Sequence, residues 1–397
     1  MLSITAPAPA PGQPVQTTQF RYDVMGQVTN VVYPDGASVT NVYSLAGDLL
    51  LSKGARTYPA GFGYDSQGRM TSMTNWTNFA GGAGARVTTW TNHAQRGWLQ
   101  GKRDAQSRGA DYEYYASGRL AKRTWARGTT AIYTNTTAGD LLGITYNDAT
   151  PSVAFTYDER GRLTNVTQGA ASTSYTWNDA GQLVREAYSG GPLSGLAVTN
   201  AYDSLDRRTA VALLSQPSTL VHFGYDAASP LQTVSNGVVS VQYTYLANSP
   251  WVQDIRFRHA GSARMAMNRS YDNLNRLTGV SSFTSAGKLF SYAYGYNPAG
   301  QRTNATLPDN SNWQYGYDAL GQASSGKRRW SGGTNVAGQQ FEYTFDDIGN
   351  RTQTKTGGDQ TGAGLRTSTY SVNTSTNTHS APCRRPATRW VPPPRLR

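Results

Sequence analysis

One ten-residue phrase, Phe155-Thr156-Tyr157-Asp158-Glu159-Arg160-Gly161-Arg162-Leu163-Thr164, returns with variations along almost the whole of this chain. Tyr22-Asp23-Val24-Met25-Gly26, Tyr64-Asp65-Ser66-Gln67-Gly68, Trp177-Asn178-Asp179-Ala180-Gly181, Tyr271-Asp272-Asn273-Leu274-Asn275 and Tyr317-Asp318-Ala319-Leu320-Gly321 follow the same plan. With the aromatic position opening each unit, fifteen units start at 22, 43, 64, 93, 114, 135, 157, 177, 202, 225, 245, 271, 296, 317 and 345. The gaps between starts run from 20 to 29 residues, most of them 20–23. Two strands of roughly 5–6 residues, a tight turn and a connection need about that length. Apolar spacing of 3–4, which a helical repeat requires, is missing. Repetition on this scale implies one array whose copies support each other by burying a common core, and it overrides a division into domains by length.

The fifth position of the unit states its backbone. Eleven units carry Gly there, one carries Asp206 and one Asn275. Gly, Asn and Asp tolerate a left-handed backbone, so what is kept is a positive φ rather than a side chain. The Asp or Asn before it can cap the turn. Ser229 and Ser249 depart from this rule, and each precedes a proline, so these two turns are expected to be remodelled. Aromatic pairs spaced by two, among them Phe62/Tyr64, Tyr112/Tyr114, Phe155/Tyr157 and Tyr315/Tyr317, place both rings on one face of a strand. That face reads first as a packed inner face, and second as a stacking surface for sugars or bases.

The fold class that follows is all-β: tandem β-hairpins forming a curved, spiralling sheet, a partial or incomplete hollow shell. The repeat array covers 18–356. Residues 1–17, with Pro7, Pro9, Pro11 and Pro14, read as a disordered leader unable to join a sheet and unlike a signal peptide. Residues 357–397 read as a disordered tail, polar and then Arg/Pro-rich. The break in style there suggests a shifted reading frame or a truncated gene. No run of 18 apolar residues is present, so no helical membrane span is expected. The net charge is +12, yet all 24 acidic residues lie at or before Asp359 and six arginines follow it, which leaves +6 for the array. A charge of that size spread over the repeats reads as solvation, and nucleic-acid binding is not expected.

No catalytic, cofactor-binding or metal-binding residue is assigned, and no enzyme is read. The single Cys383 excludes disulfides, and His93, His222, His259 and His379 are isolated in sequence. His93 occupies an aromatic position of its unit. Gly81-Gly82-Ala83-Gly84 lacks the Lys-Ser/Thr of a phosphate loop, and Gly191-Pro192-Leu193-Ser194-Gly195 lacks the spacing of a nucleophile elbow. The recurring Asp23, Asp65, Asp158, Asp203, Asp226, Asp272 and Asp318 are too regular for one acid–base pair. Turn capping explains them, with calcium binding the minor alternative.

The Tyr-Asp-x-x-Gly-Arg-Leu-Thr units, best matched at 64–71 and 157–164, resemble the YD repeats of the RHS, teneurin and insecticidal-toxin-C family. The resemblance spans about 18–356. It implies a hairpin-built shell, secreted or on a bacterial cell surface, that encloses a toxin domain, or an adhesive role as in animal members. The partners it implies are an enclosed toxin or a second shell chain. A cell-surface glycan, held by the aromatic rows and by Trp90, Trp98 or Trp125, is the alternative. The Asp-Pro-x-Gly-type segment of that family has no match in these 397 residues. Fifteen hairpins are fewer than a full shell uses, so an open spiral with unpaired edges is expected.

Overall fold

A computed structural model describes residues 1–371 of the chain; His379, Cys383 and the Arg/Pro-rich part of the tail lie outside the described residues. It contains 32 strands, numbered β1 to β32 in chain order, from β1 (Leu2–Ala6) to β32 (Leu365–Thr369), and no helix among the described residues. Each strand pairs antiparallel with the next, so the whole forms one meandering sheet. All fifteen repeat turns join an even-numbered strand to the odd-numbered one after it. The repeat turns therefore line one edge of the sheet and the connectors between units line the other.

The repeat turn has a constant geometry. In the unit opened by Tyr157, the Gly161 N–H donates to the Asp158 carbonyl and the Asp158 N–H donates to the Arg162 carbonyl, both at 2.9 Å. Gly161 has φ +74°, and the ladder slips by one residue at Thr156/Tyr157. This is a type I turn closed by a left-handed residue and a bulge, a standard three-residue hairpin loop. Asp206 (φ 63°) and Asn275 (φ 62°) keep it, as the sequence implies. Ser229 keeps it too, with φ 76°, so that turn is not remodelled. In the unit opened by Tyr245 the left-handed residue is Asn248 instead of Ser249, and the loop is one residue longer, closed from the Leu246 N–H to the Trp251 carbonyl. Asn adopts αL more readily than Ser, which moves the bend back by one.

Both ends of the array lie further out than the composition suggests. β1 pairs with β2 (Gln16–Tyr22) from Leu2↔Phe20 to Ala6↔Gln16, so the leader joins the sheet. Its four prolines all fall in the connector between these strands, where no ladder N–H is needed. At the other end, Asp359 caps a further turn and β32 pairs with β31 (Arg351–Gly357).

The sheet returns upon itself. The Asn273 N–H donates to the Pro9 carbonyl at 3.0 Å, the Arg56 N–H to the Ala319 carbonyl at 2.9 Å, and the Asp347 N–H to the Thr77 carbonyl at 3.1 Å. Pro9 follows strand 1, Arg56 follows strand 5 (Leu49–Gly54) and Thr77 lies at the end of strand 7 (Met70–Asn78); they meet repeat turns after strands 24 (Ser262–Tyr271), 28 (Asn312–Tyr317) and 30 (Asn335–Phe345), an advance of 23 strands each time. The advance is odd, so a repeat turn always lands on a connector. At roughly 4.8 Å per strand, 23 strands make a circumference of about 110 Å and a ring on the order of 35 Å across.

Among the described residues no second layer covers this wall. Among the described residues only seven apolar side chains are buried: Val39, Ala110, Ala131, Ala197, Ile255, Ala305 and Val336. The paired aromatic rings are mostly half-buried. The common core expected from the repeat is therefore replaced by contacts within a single layer, such as Trp313 stacked against Tyr315 of its own strand at 6.4 Å and against Phe341 two strands away at 6.0 Å.

Candidate functional site

Each letter of the repeat phrase has a partner. Asp158 Oδ1 accepts the N–H groups of Arg160 and Arg162 at 3.0 and 2.9 Å, and Oδ2 accepts Arg162 Nε at 2.7 Å. Arg162 then reaches forward to the Asn178 carbonyl of the next unit at 2.8 Å. The same chain of contacts recurs at Asp65/Arg69, Asp203/Arg207 and Asp272/Arg276. The Arg162 N–H, with the guanidinium and the Arg160 N–H, holds the Asp158 carboxyl below the ordinary aspartate range, against a smaller opposing effect of burial. Asp65 is lowered in the same way by Arg69, and Asp203 first by the Arg207 side chain. These aspartates are spent on their turns.

The aromatic letter ties each unit backward. The hydroxyls of Tyr43, Tyr157, Tyr202, Tyr225, Tyr245, Tyr271, Tyr296 and Tyr317, and Trp177 Nε1, donate to a carbonyl of the preceding unit at 2.6–3.1 Å. The acceptor is the first strand residue after that unit's turn, for example Leu141 for Tyr157. His93, placed by sequence at the aromatic position, instead replaces the capping Asp. Its Nδ1 faces the N–H groups of Gln95 and Arg96 at 3.3 and 3.2 Å, and the loop is one residue longer than usual. An imidazole nitrogen can accept there as a carboxylate does, and that is the signal the spacing alone concealed.

Among the described residues no three His, Cys, Asp or Glu side chains gather as a metal site would require. On the aromatic face a concavity of about 470 Å³ lies over β6 (Thr57–Tyr64) to β11 (Leu120–Trp125). Its walls include Tyr58, Met73, Lys102, Tyr112, Arg123 and Trp125, and Ile348 closes it from the next winding. Six neighbouring strands thus contribute to one hollow on this face. The indoles Trp90, Trp98 and Trp125 are half-buried rather than exposed. Each carries a cation over its ring: Lys102 at 5.4 Å, Arg96 at 4.6 Å and Arg123 at 4.6 Å.

No protein-family model matches this sequence. No curated protein matches it either. Solved structures do match. The crystal structure of TcdB2-TccC3 superposes with a TM-score of 0.61 at 14% identity over 91% of this chain. The form of TcdB2-TccC3 without its hypervariable C-terminal region gives a TM-score of 0.62 at 14% identity over the same share. The likeness is one of fold. This chain spans less than a quarter of those chains, 23% and 22% of their lengths. The expected architecture, a curved all-β sheet of tandem hairpins, is thus shared with the TcdB2-TccC3 structures over the matched stretch.

Proposed function

We propose that this chain is a non-enzymatic structural protein of the YD/RHS-repeat kind, forming a stretch of the wall of an encapsulating β-shell. The observation that supports this reading most is the seam at Asn273/Pro9, Arg56/Ala319 and Asp347/Thr77, which bends a single-layer sheet around a space. The seam also indicates how such a wall extends. Repeat-turn tips at the seam, Leu274, Leu320 and Ile348, are half-buried against connectors, whereas Met25 and Leu205 at the same position elsewhere are 73% and 64% exposed. A further winding from another repeat-bearing chain would cover those tips in the same way. The role we infer is enclosure of a polypeptide, extracellular or at a cell surface, in line with the family resemblance.

Electron microscopy of the purified chain, with small-angle scattering, tests this reading. Curved or ring-like walls around a solvent-filled centre are expected. A compact particle without a central space would refute it. The alternative of glycan adhesion through Trp90, Trp98 and Trp125 has less support, since one face of each indole already holds a cation.

A further inference from the structure

Charge is not spread evenly over this wall. Only five of the 24 carboxylates lie in strands: Asp111, Glu113, Glu186, Asp254 and Glu342. Strand register places four of them on the face opposite the aromatic rows and Glu186 alone among the rings, opposite Tyr175. On the opposite face Lys122 holds Glu113 at 2.9 Å, Arg103 holds Asp111 at 2.5 Å, and Lys327 holds Glu342 at 2.6 Å, while Arg185, Arg256 and Arg258 there take part in no ion pair among the described residues. On the aromatic face, Arg86, Lys102, Arg123 and Arg302 take part in no ion pair among the described residues.

The segment 83–127 concentrates this asymmetry, with nine Lys or Arg against three acids, a net +6 equal to that of the whole array. All three acids, Asp104, Asp111 and Glu113, are paired with Arg108, Arg103 and Lys122. Of the six cations left without an acid, Lys102 and Arg123 line the concavity, beside the Asp104/Arg108 pair. Arg123 lies between the Tyr112 ring at 5.7 Å and the Trp125 ring at 4.6 Å, and its Nε is buried without a hydrogen-bond partner. A carboxylate is the acceptor whose geometry matches a guanidinium fork.

We propose that the aromatic face lines the enclosed space and binds an extended acidic polypeptide, with a carboxylate of that polypeptide anchored by Arg123 and Lys102 in the concavity over β6 to β11. This rests on the enclosure reading above and names the chemistry of what is enclosed. Lys102 and Arg123 stand two strands apart, each against an aromatic ring, which suits a chain that alternates acidic and apolar side chains. A polyphosphate backbone would instead need a continuous basic stripe.

The test uses the full chain and a fluorescein-labelled random copolymer of Glu and Tyr, read by anisotropy. A Lys/Tyr copolymer and a single-stranded oligonucleotide of equal charge number serve as comparators. Binding of the Glu/Tyr copolymer is expected, weakened by roughly tenfold or more in Arg123→Gln and in Lys102→Gln, as loss of a charged hydrogen bond implies. Arg103→Gln, on the opposite face, should leave it within about twofold. Unchanged melting of each variant by circular dichroism separates loss of binding from loss of fold. No copolymer binding, binding indifferent to Arg123 and Lys102, or tighter binding of the oligonucleotide would overturn the proposal. A hollow wall in micrographs with no copolymer binding would reject the acidic cargo while leaving the shell reading intact. Copolymer binding by a particle without a central space would do the reverse.

Discussion

The Asp347 carboxylate accepts the backbone N–H of Phe79 at 2.7 Å across 268 residues of chain, while the Asp347 N–H donates back to Thr77. This reciprocal pair locks the second winding of the sheet onto the first. Position 347 is the tip of a repeat turn, a place occupied by Val24, Leu45 and Ala319 in other units, so its acid serves the seam rather than the turn.

Asp347→Ala should therefore open the seam without unravelling the hairpins. The Phe79 amide loses its charged acceptor, at a cost of about 1–3 kcal/mol. Hydrogen exchange should accelerate at Phe79 and its neighbours and stay unchanged near Asp158. Equal acceleration at both places would show that the seam is not separately held.

Two glycine substitutions distinguish turn strain from seam packing. Gly161 (φ +74°) has open space where a Cβ would sit, so Gly161→Ala carries only the left-handed penalty, roughly 1–2 kcal/mol. A Cβ at Gly349 (φ +85°) would lie 2.9 Å from the Tyr58 hydroxyl of the earlier winding. Gly349→Ala should be the more destabilising in denaturant melts, and Tyr58→Phe should narrow the difference, since its ring carbons still lie 3.3 and 3.4 Å from that Cβ. Identical losses in the two variants would contradict contact at that point.

Tyr157→Phe tests the inter-unit tie. Removing its hydroxyl leaves the Leu141 carbonyl without that donor at a cost of about 1 kcal/mol. In a quasi-one-dimensional array such losses should add, so Tyr157→Phe with Tyr296→Phe should lose about twice as much as either alone. A double variant no worse than a single one would argue against independent ties.

Acid should weaken the turns. The folded carboxyls of Asp65, Asp158 and Asp203 are held below their ordinary value, so their contribution is present above that range and disappears as pH falls through it. Melting midpoints should stay level from about pH 7 to 5 and drop below about pH 4, where an unperturbed aspartate titrates. Asp158→Asn should flatten that drop. A decline confined to the range above about pH 5 would assign the effect to other groups.

The repeat phrase made the hairpins legible because each letter acts within a few residues of itself. Asp158, Gly161 and Arg162 close their turn by contacts four residues long, and such local chemistry is written in order along the chain. His93 was misplaced because its role depends on which strand residue it follows, and a loop lengthened by one residue shifts that count. The leader's prolines suggested disorder, but Leu2–Ala6 between the start and Pro7 needed only a neighbouring strand with free ladder groups.

By itself the sequence determined an all-β array of tandem hairpins, the left-handed residue of nearly every turn, and the face on which the rings align. These follow from backbone sterics and from the period-two alternation of a strand. The tertiary structure alone decided that the wall is one layer thick, that it meets itself after 23 strands, and that cations without acidic partners share the aromatic face. Those outcomes depend on the small twist and bend added at every strand pair, summed over the whole sheet, and on register between strands, neither of which any single repeat contains.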